Sequence, residues 1–142
     1  MNVKEIMTNE PACCTPDARL QDVAKMMVDN DCGCIPVVES KESKIPVGMI
    51  TDRDITTRIV AEGKNPMDLT AADAMSTSVV TVGPDTTIEE CCNLMEENQL
   101  RRLAVVDGSG KCCGMIAQAD IATNASKSKT AEVVQEVSKA TA

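Results

Sequence analysis

The sequence contains no histidine, phenylalanine, tyrosine or tryptophan. Without aromatic rings, the core must be filled by Val, Ile, Leu, Met, Ala and Cys. Without histidine, both the commonest general base and the commonest metal ligand are missing. Any base chemistry would fall to carboxylates or lysines. Positive charge is scarce too: 14 Lys and Arg against 22 Asp and Glu leave a net charge of −8. Such a surface works against sequence-independent nucleic-acid binding and against anionic membranes. A local positive spot such as Arg101-Arg102 still suits a small anionic ligand. No run of 18 apolar residues occurs, and Met1–Ala12 holds Lys4, Glu5 and Glu10 with no apolar signal-peptide core. Neither a membrane span nor a signal peptide is expected, and the expected setting is cytoplasmic. There is no Walker loop, nucleophile elbow or metal cluster, so no catalytic residue is assigned and no enzyme is expected.

Eight cysteines are present, as Cys13-Cys14, Cys32-Gly33-Cys34, Cys91-Cys92 and Cys112-Cys113. An even count suits disulfides only in a secreted chain. Adjacent cysteines point to opposite faces of a strand, or lie ~100° apart on a helix. Neither arrangement gives two ligands to one metal, and no Cys-x-x-Cys occurs. Each pair falls where Ala or Val would fit, so the expected role is core packing, with a metal or thiol sensor as the minor reading.

Apolar residues make up 43% of 142 residues, enough to fill one compact domain or two small ones sharing a core. Two stretches organise the rest. Gly48-Met49-Ile50-Thr51-Asp52-Arg53-Asp54-Ile55 reads as a strand running into a helix start, and Gly114-Met115-Ile116-Ala117-Gln118-Ala119-Asp120-Ile121 repeats it. Other elements recur in the same order. Met7-Thr8 is answered by Met75-Ser76, and Pro16-Asp17 by Pro84-Asp85. Leu20, Val23, Ala24 and Met27 predict an amphipathic helix from Ala18 to about Asn30. Thr87-Ile88-Glu89-Glu90 is a capping-box start, with Ile88, Cys91, Cys92 and Met95 on the apolar face. Strands are predicted at Ile35–Val38, Pro46–Ile50, Leu103–Val106 and Cys112–Ile116. Pro36 suggests an edge strand or an interrupted ladder. Met7 and Met75 are 68 residues apart, Gly48 and Gly114 66 apart, because the second turn is shorter. A near-constant offset across several elements marks a repeat. The expected division is a first repeat at 1–63, a connection at 64–70, a second repeat at 71–125, and a polar linker with a short helix at 126–142. Val133, Val134 and Val137 share one side of that last segment. It either docks on the core or a second chain, or frays.

The ordered set carried by Met7-Thr8, Thr15-Pro16-Asp17, Ile35-Pro36-Val37-Val38 and Gly48–Asp54 resembles a CBS domain, the module named after cystathionine β-synthase. Met75-Ser76, Pro84-Asp85, Arg101–Asp107 and Gly114–Asp120 carry it a second time. The resemblance spans about Val3 to Asn124 and is to stand-alone CBS pairs. It implies an α/β fold of the α+β type: tandem β-α-β-β-α repeats packed sheet to sheet as a pseudo-twofold pair. It further implies a homodimer, a regulatory role towards an unknown protein target, and adenosyl ligands of the AMP, ADP, ATP or S-adenosylmethionine kind, with no cofactor or metal.

The resemblance places the ligand motif at Thr51 and Asp54. Physically, a carboxylate at a helix start can accept from a ribose diol, while a Thr hydroxyl and free N–H groups can donate to phosphate. Arg53, or Arg101 and Arg102, would supply positive charge. An adenine edge would meet backbone near Ile35, Pro36 and Val37, an inference from the family fold. Thr-x-x-Asp is also a plain capping box, which needs no ligand. In the second copy Ala117 replaces the Thr while Asp120 remains, and Ala104 stands where the first half has Pro36. These departures leave open a ligand-free protein-interaction module.

Overall fold

The computed structural model describes residues 1–124 and 127–139. Two compact units form: Pro11–Val79, and Met1–Glu10 together with Val80–Ala142. In chain order the strands are β1 Thr8–Asn9, β2 Cys34–Val38, β3 Pro46–Thr51, β4 Thr81–Val82, β5 Arg102–Val106 and β6 Cys112–Ala117. The helices are α1 Leu20–Asp29, α2 Asp52–Ile55, α3 Ala71–Ala74, α4 Ile88–Asn98, α5 Gln118–Asn124 and α6 Lys127–Ser138. Short 3-10 turns lie at Val3–Glu5 and Pro66–Asp68.

Each unit is built on one sheet plan. In the Val80–Ala142 unit the order is β1-β6-β5-β4, with β5 and β6 antiparallel and β4 parallel to β5. In Pro11–Val79 the β2-β3 hairpin is flanked by a parallel bridge from Cys14 to Val37 and an antiparallel one from Met49 to Ser76. Pro36 is therefore not on an edge: β2 has neighbours on both sides. The ladder is interrupted there instead. Cys14 donates to the Pro36 carbonyl (3.1 Å) and Val38 to the Cys14 carbonyl (2.8 Å), but Pro36 has no N–H to extend the pairing. Ala104 retains that N–H, and the matching strand β4 pairs at two positions, Thr81 with Ala104 and Val82 with Val105.

The lead-in segments are exchanged between the repeats. Val3 donates to the Thr86 carbonyl, Lys4 to Pro84 and Ile88 to Met1. In the other unit Ala71 donates to Ala18, Ala72 to Pro16 and Leu20 to Leu69. All six positions match at the 68-residue offset, so 69–76 serves the first sheet as 1–8 serves the second. The two glycines of the repeat explain the fit. A Cβ on Gly48 would stand 2.7 Å from the Ser76 carbonyl oxygen, and one on Gly114 would stand 2.5 Å from Met7 Sδ. The Met-Thr/Ser and Gly-Met-Ile motifs are thus two sides of one contact.

Helix periodicity carries each core. Leu20, Val23 and Met27 of α1 close over Ile35, Val37 and Ile50. In the other unit Ile88, Cys91, Cys92 and Met95 of α4 are all buried against Leu103, Val105, Ile116 and Ile121. Each fully buried Leu, Ile or Val contributes roughly 1.5–3 kcal/mol of transfer free energy. Helix α6 docks on this second core through Val133 and Val137, while Val134 stays partly exposed. Residues 126 and 140–142 of the expected C-terminal segment lie outside the described residues. Five cysteines are buried, at 14, 34, 91, 92 and 112; Cys13 and Cys113 are half-buried. Cys32 departs from the core expectation and is exposed, in the turn that follows α1.

Candidate functional site

Strand β3 ends at Thr51 in extended conformation, and α2 starts at Asp52. The box predicted there forms. Thr51 Oγ1 accepts from the Asp54 N–H (3.1 Å), and Asp54 Oδ2 accepts from the Thr51 N–H (2.9 Å). Two of the free N–H groups at the helix start are satisfied this way. The Asp54 side chain is 19% exposed, and its Oδ1 lies 3.7 Å from Arg58 Nε, one turn on. A carboxylate offers about four lone-pair sites. The backbone fixes this one by Oδ2 and leaves Oδ1 facing a guanidinium.

The second copy keeps half of the box. Asp120 Oδ2 accepts from the Ala117 N–H (2.8 Å), and no hydroxyl stands at Ala117 to return the bond. Both junctions are tied to the neighbouring strand in the same way, Asp52 donating to the Gly33 carbonyl (3.0 Å) and Gln118 to that of Arg101 (2.8 Å). Arg101 thus answers Gly33. At position 124, which answers Arg58, Asn124 Nδ2 donates to the Asp120 backbone carbonyl (2.7 Å), within its own helix.

Thr51, Arg53 and Asp54 sit together at the β3-α2 junction, with Arg53 exposed. Ile35, Pro36 and Val37 are central in β2, where Pro36 pairs with Met49 and Cys34 with Thr51. Ile35 and Val37 are fully buried in the helix-side core, so what they offer a ligand is backbone. Asp120 and Arg102 belong to the other unit: Arg102 opens β5 opposite Ala117, half-buried, with exposed Arg101 before it. Of the surface depressions, one of about 440 Å³ touches the Thr15-Pro16-Asp17 turn and one of about 470 Å³ borders β4 and α4. Neither is lined by any predicted site residue. Sequence reasoning missed Arg58, although its spacing of four from Asp54 on a helix was a readable signal.

Among the described residues, no group of three or more Cys, Asp or Glu is placed to hold a metal ion. Two of the buried thiols are shifted strongly towards the neutral form. Burial pushes Cys14 up to about 11, and burial together with neighbouring Cys92 pushes Cys91 up to about 12. Both stay protonated, and so unreactive, near neutral pH. No helix among the described residues is long and apolar enough to cross a membrane.

Two units, each completed by the other repeat's lead-in segment and each with an Asp at a strand-to-helix junction, define a tandem-repeat α/β architecture. The sequence matches the CBS domain family at residues 3–61 and 71–127, and the chain belongs to that family. It is 35% identical over 130 residues to the CBS domain-containing protein YhcV of Bacillus subtilis, covering 92% of this chain and 89% of that one. It is 32% identical to Hypoxic response protein 1 of Mycobacterium tuberculosis, covering 84% and 81%. Inosine-5'-monophosphate dehydrogenase of Nitrosopumilus maritimus, an enzyme, also matches at 32%, but this chain spans only 23% of it.

Solved structures agree on the fold. A conserved CBS protein of Thermoplasma acidophilum superposes with a TM-score of 0.82 at 23% identity, over 96% of this chain and 75% of that one. Hypoxic Response Protein I, solved with two coordinated zinc ions, gives 0.78 at 29%, over 89% and 100%. The CBS pair of protein MJ0100, in complex with 5'-methylthioadenosine and S-adenosyl-L-methionine, gives 0.77 at 24%, over 87% and 98%. CBSX2 in complex with AMP gives 0.72 at 23%, over 86% and 93%.

Proposed function

We propose that this chain is a regulatory CBS pair that binds an adenosyl ligand at the β3-α2 junction. In this reading Asp54 accepts from the ribose diol, and Thr51 with the adjacent N–H groups orients it. The observation that carries it is the Asp54 carboxylate: Oδ2 is pinned by backbone while Oδ1 remains directed at a cation. A plain cap would need no such second contact. Two proteins of this fold hold AMP, or S-adenosylmethionine and methylthioadenosine, which supports the ligand class. Arg53, beside Asp54 at the same junction, would meet phosphate, and the Ile35–Val37 backbone would meet the base. The second junction, lacking the Thr, is the weaker site. The signal passes to a protein target through a change in packing of a cytoplasmic homodimer.

The first test is an ultraviolet spectrum of the purified protein. With no Trp or Tyr, the chain itself absorbs almost nothing at 260–280 nm. A 260 nm band that survives nuclease treatment identifies a co-purified nucleotide, to be named by mass spectrometry. A flat spectrum calls for calorimetric titration with AMP, ATP and S-adenosylmethionine. Binding that Asp54→Ala abolishes supports the assignment. Binding unaffected by Asp54→Ala removes Asp54 from the site. No heat with any ligand favours the ligand-free interaction module. A ligand at 100 times its dissociation constant should stabilise the native state by ~2.7 kcal/mol.

A further inference from the structure

We infer that Arg58 is a positioning residue that ties the Asp54 carboxylate to the exchanged segment Ala74–Ser76. The link to ligand occupancy rests on the reading of Asp54 given above; the mechanical link does not. Arg58 Nε lies 3.7 Å from Asp54 Oδ1, while Nη1 donates to the Met75 carbonyl (3.0 Å) and lies 3.5 Å from that of Ala74. Those carbonyls end α3, which is four residues long. So short a helix has little stability of its own, and a guanidinium on its last carbonyls is a favourable C-terminal partner. The next residue, Ser76, exchanges both backbone hydrogen bonds with Met49 (2.8 and 2.9 Å) and forms the edge of the β2-β3 sheet.

The backbone presents Arg58 in an unusual way. After Ile55 the helix widens into a π-type turn over Thr56–Val60, with Ala61 donating to the Thr56 carbonyl five residues back. Such turns often mark functional positions in helices. Here the turn carries Arg58, whose side chain reaches both the carboxylate and the α3 terminus. A guanidinium holds both from separate nitrogens, Nε and Nη1, in a rigid fork; a lysine ammonium, with all its donors on one atom, does not reproduce that spacing. Among the described residues the second junction shows no such strap: Asn124, at the matching position, donates to the Asp120 carbonyl within its own helix. The coupling therefore belongs to the first site alone. Ligand hydroxyls arriving at Oδ1 compete with Nε, and the competition is felt at Ser76.

Amide hydrogen exchange of Ser76 and Met49 by NMR tests this. Arg58→Met should speed exchange of both amides about tenfold, the loss expected for a charge-assisted bond to Met75. Asp54→Asn keeps an acceptor for the Thr51 N–H but removes the charge. It should speed the same amides about twofold, the scale of an exposed i,i+4 pair. In an Arg58→Lys background, which retains the positive charge but not the fork, Asp54→Asn should add nothing. If the effects of Asp54→Asn and Arg58→Lys simply multiply, or if Arg58→Met leaves Ser76 at the wild-type rate, the strap is refuted. Saturating AMP should change Ser76 exchange in the wild type but not in Arg58→Lys; an equal change in both refutes the coupling to occupancy. If AMP, ATP and S-adenosylmethionine all fail to bind the wild type, the ligand reading and the link to occupancy fall, and the ligand-free cycle still decides the strap.

Discussion

Gly48→Ala is the substitution whose cost the structure specifies most directly. The added Cβ would lie 2.7 Å from the Ser76 carbonyl oxygen and 3.0 Å from Met75 Sδ. The sulfur ends a flexible side chain and can swing away. The carbonyl cannot, because it accepts from the Met49 N–H at 2.9 Å and its residue donates back to Met49 at 2.8 Å. Overpacking of this kind costs ~1–3 kcal/mol, and loosening a paired backbone bond adds about 1 kcal/mol. Replacing a strand glycine returns roughly 0.5–1 kcal/mol of backbone entropy. The net loss is roughly 1–3.5 kcal/mol, which lowers Tm by roughly 3–12 °C in a chain of this size. Far-ultraviolet circular dichroism is the assay, since the protein has no fluorescent side chain. Gly114→Ala should cost less, because its nearest neighbour is the mobile Met7 sulfur and the Thr8 carbonyl is further off at 3.1 Å. Gly108→Ala, with nothing within 4 Å, is the control and should shift Tm little. A Gly48→Ala midpoint within about 1 °C of wild type, or a Gly114→Ala protein less stable than Gly48→Ala, would refute the reasoning.

Thr51→Ala should cost about 1 kcal/mol in urea unfolding, and Ala117→Thr, which completes the second box, should gain roughly 0.5–1 kcal/mol. The raised thiols set an alkaline limit. Cys91 and Cys14 titrate from 9.0 when unfolded but at about 12 and about 11 when folded. The unfolded chain therefore loses protons first, and stability present below pH 9 should fall as pH rises towards 12. Cys91→Ala with Cys14→Ala should flatten that slope in melts at increasing pH. Thiol labelling of native protein at pH 8 should modify exposed Cys32 first and reach Cys91 and Cys92 only on unfolding.

Elements with one clean apolar face are readable from the sequence alone. The α4 face of Ile88, Cys91, Cys92 and Met95 and its Thr87 box are periodic signals within a single helix, and both formed as expected. The Thr51 box was equally local. Pro36 was readable only in part. A missing N–H says that a ladder breaks, not whether another strand lies beyond it. The exchange of lead-in segments left no local trace, since Ser76 and Met49, or Thr8 and Met115, meet through tertiary pairing. The repeat exposed both motifs without revealing that each half holds the other's. At the site, the i,i+4 relation of Asp54 and Arg58 was legible, but the reach of Arg58 to Met75 depends on a π-type turn that Thr56–Val60 does not announce.

The exchange also sets an order of assembly during synthesis. The unit Pro11–Val79 is continuous in sequence and has all its strands once about its own length has left the ribosome. The other unit needs both Met1–Glu10 and everything from Val80 on. Its first strand is made earliest and must wait longest, held open until β6 arrives to pair with Thr8 and Asn9. Closing so long a loop adds an entropic penalty that grows only slowly with length, but it delays the second sheet until β6 has been made. A ribosome stalled soon after Val79 would therefore display a finished Pro11–Val79 unit with Thr8 and Asn9 still unpaired.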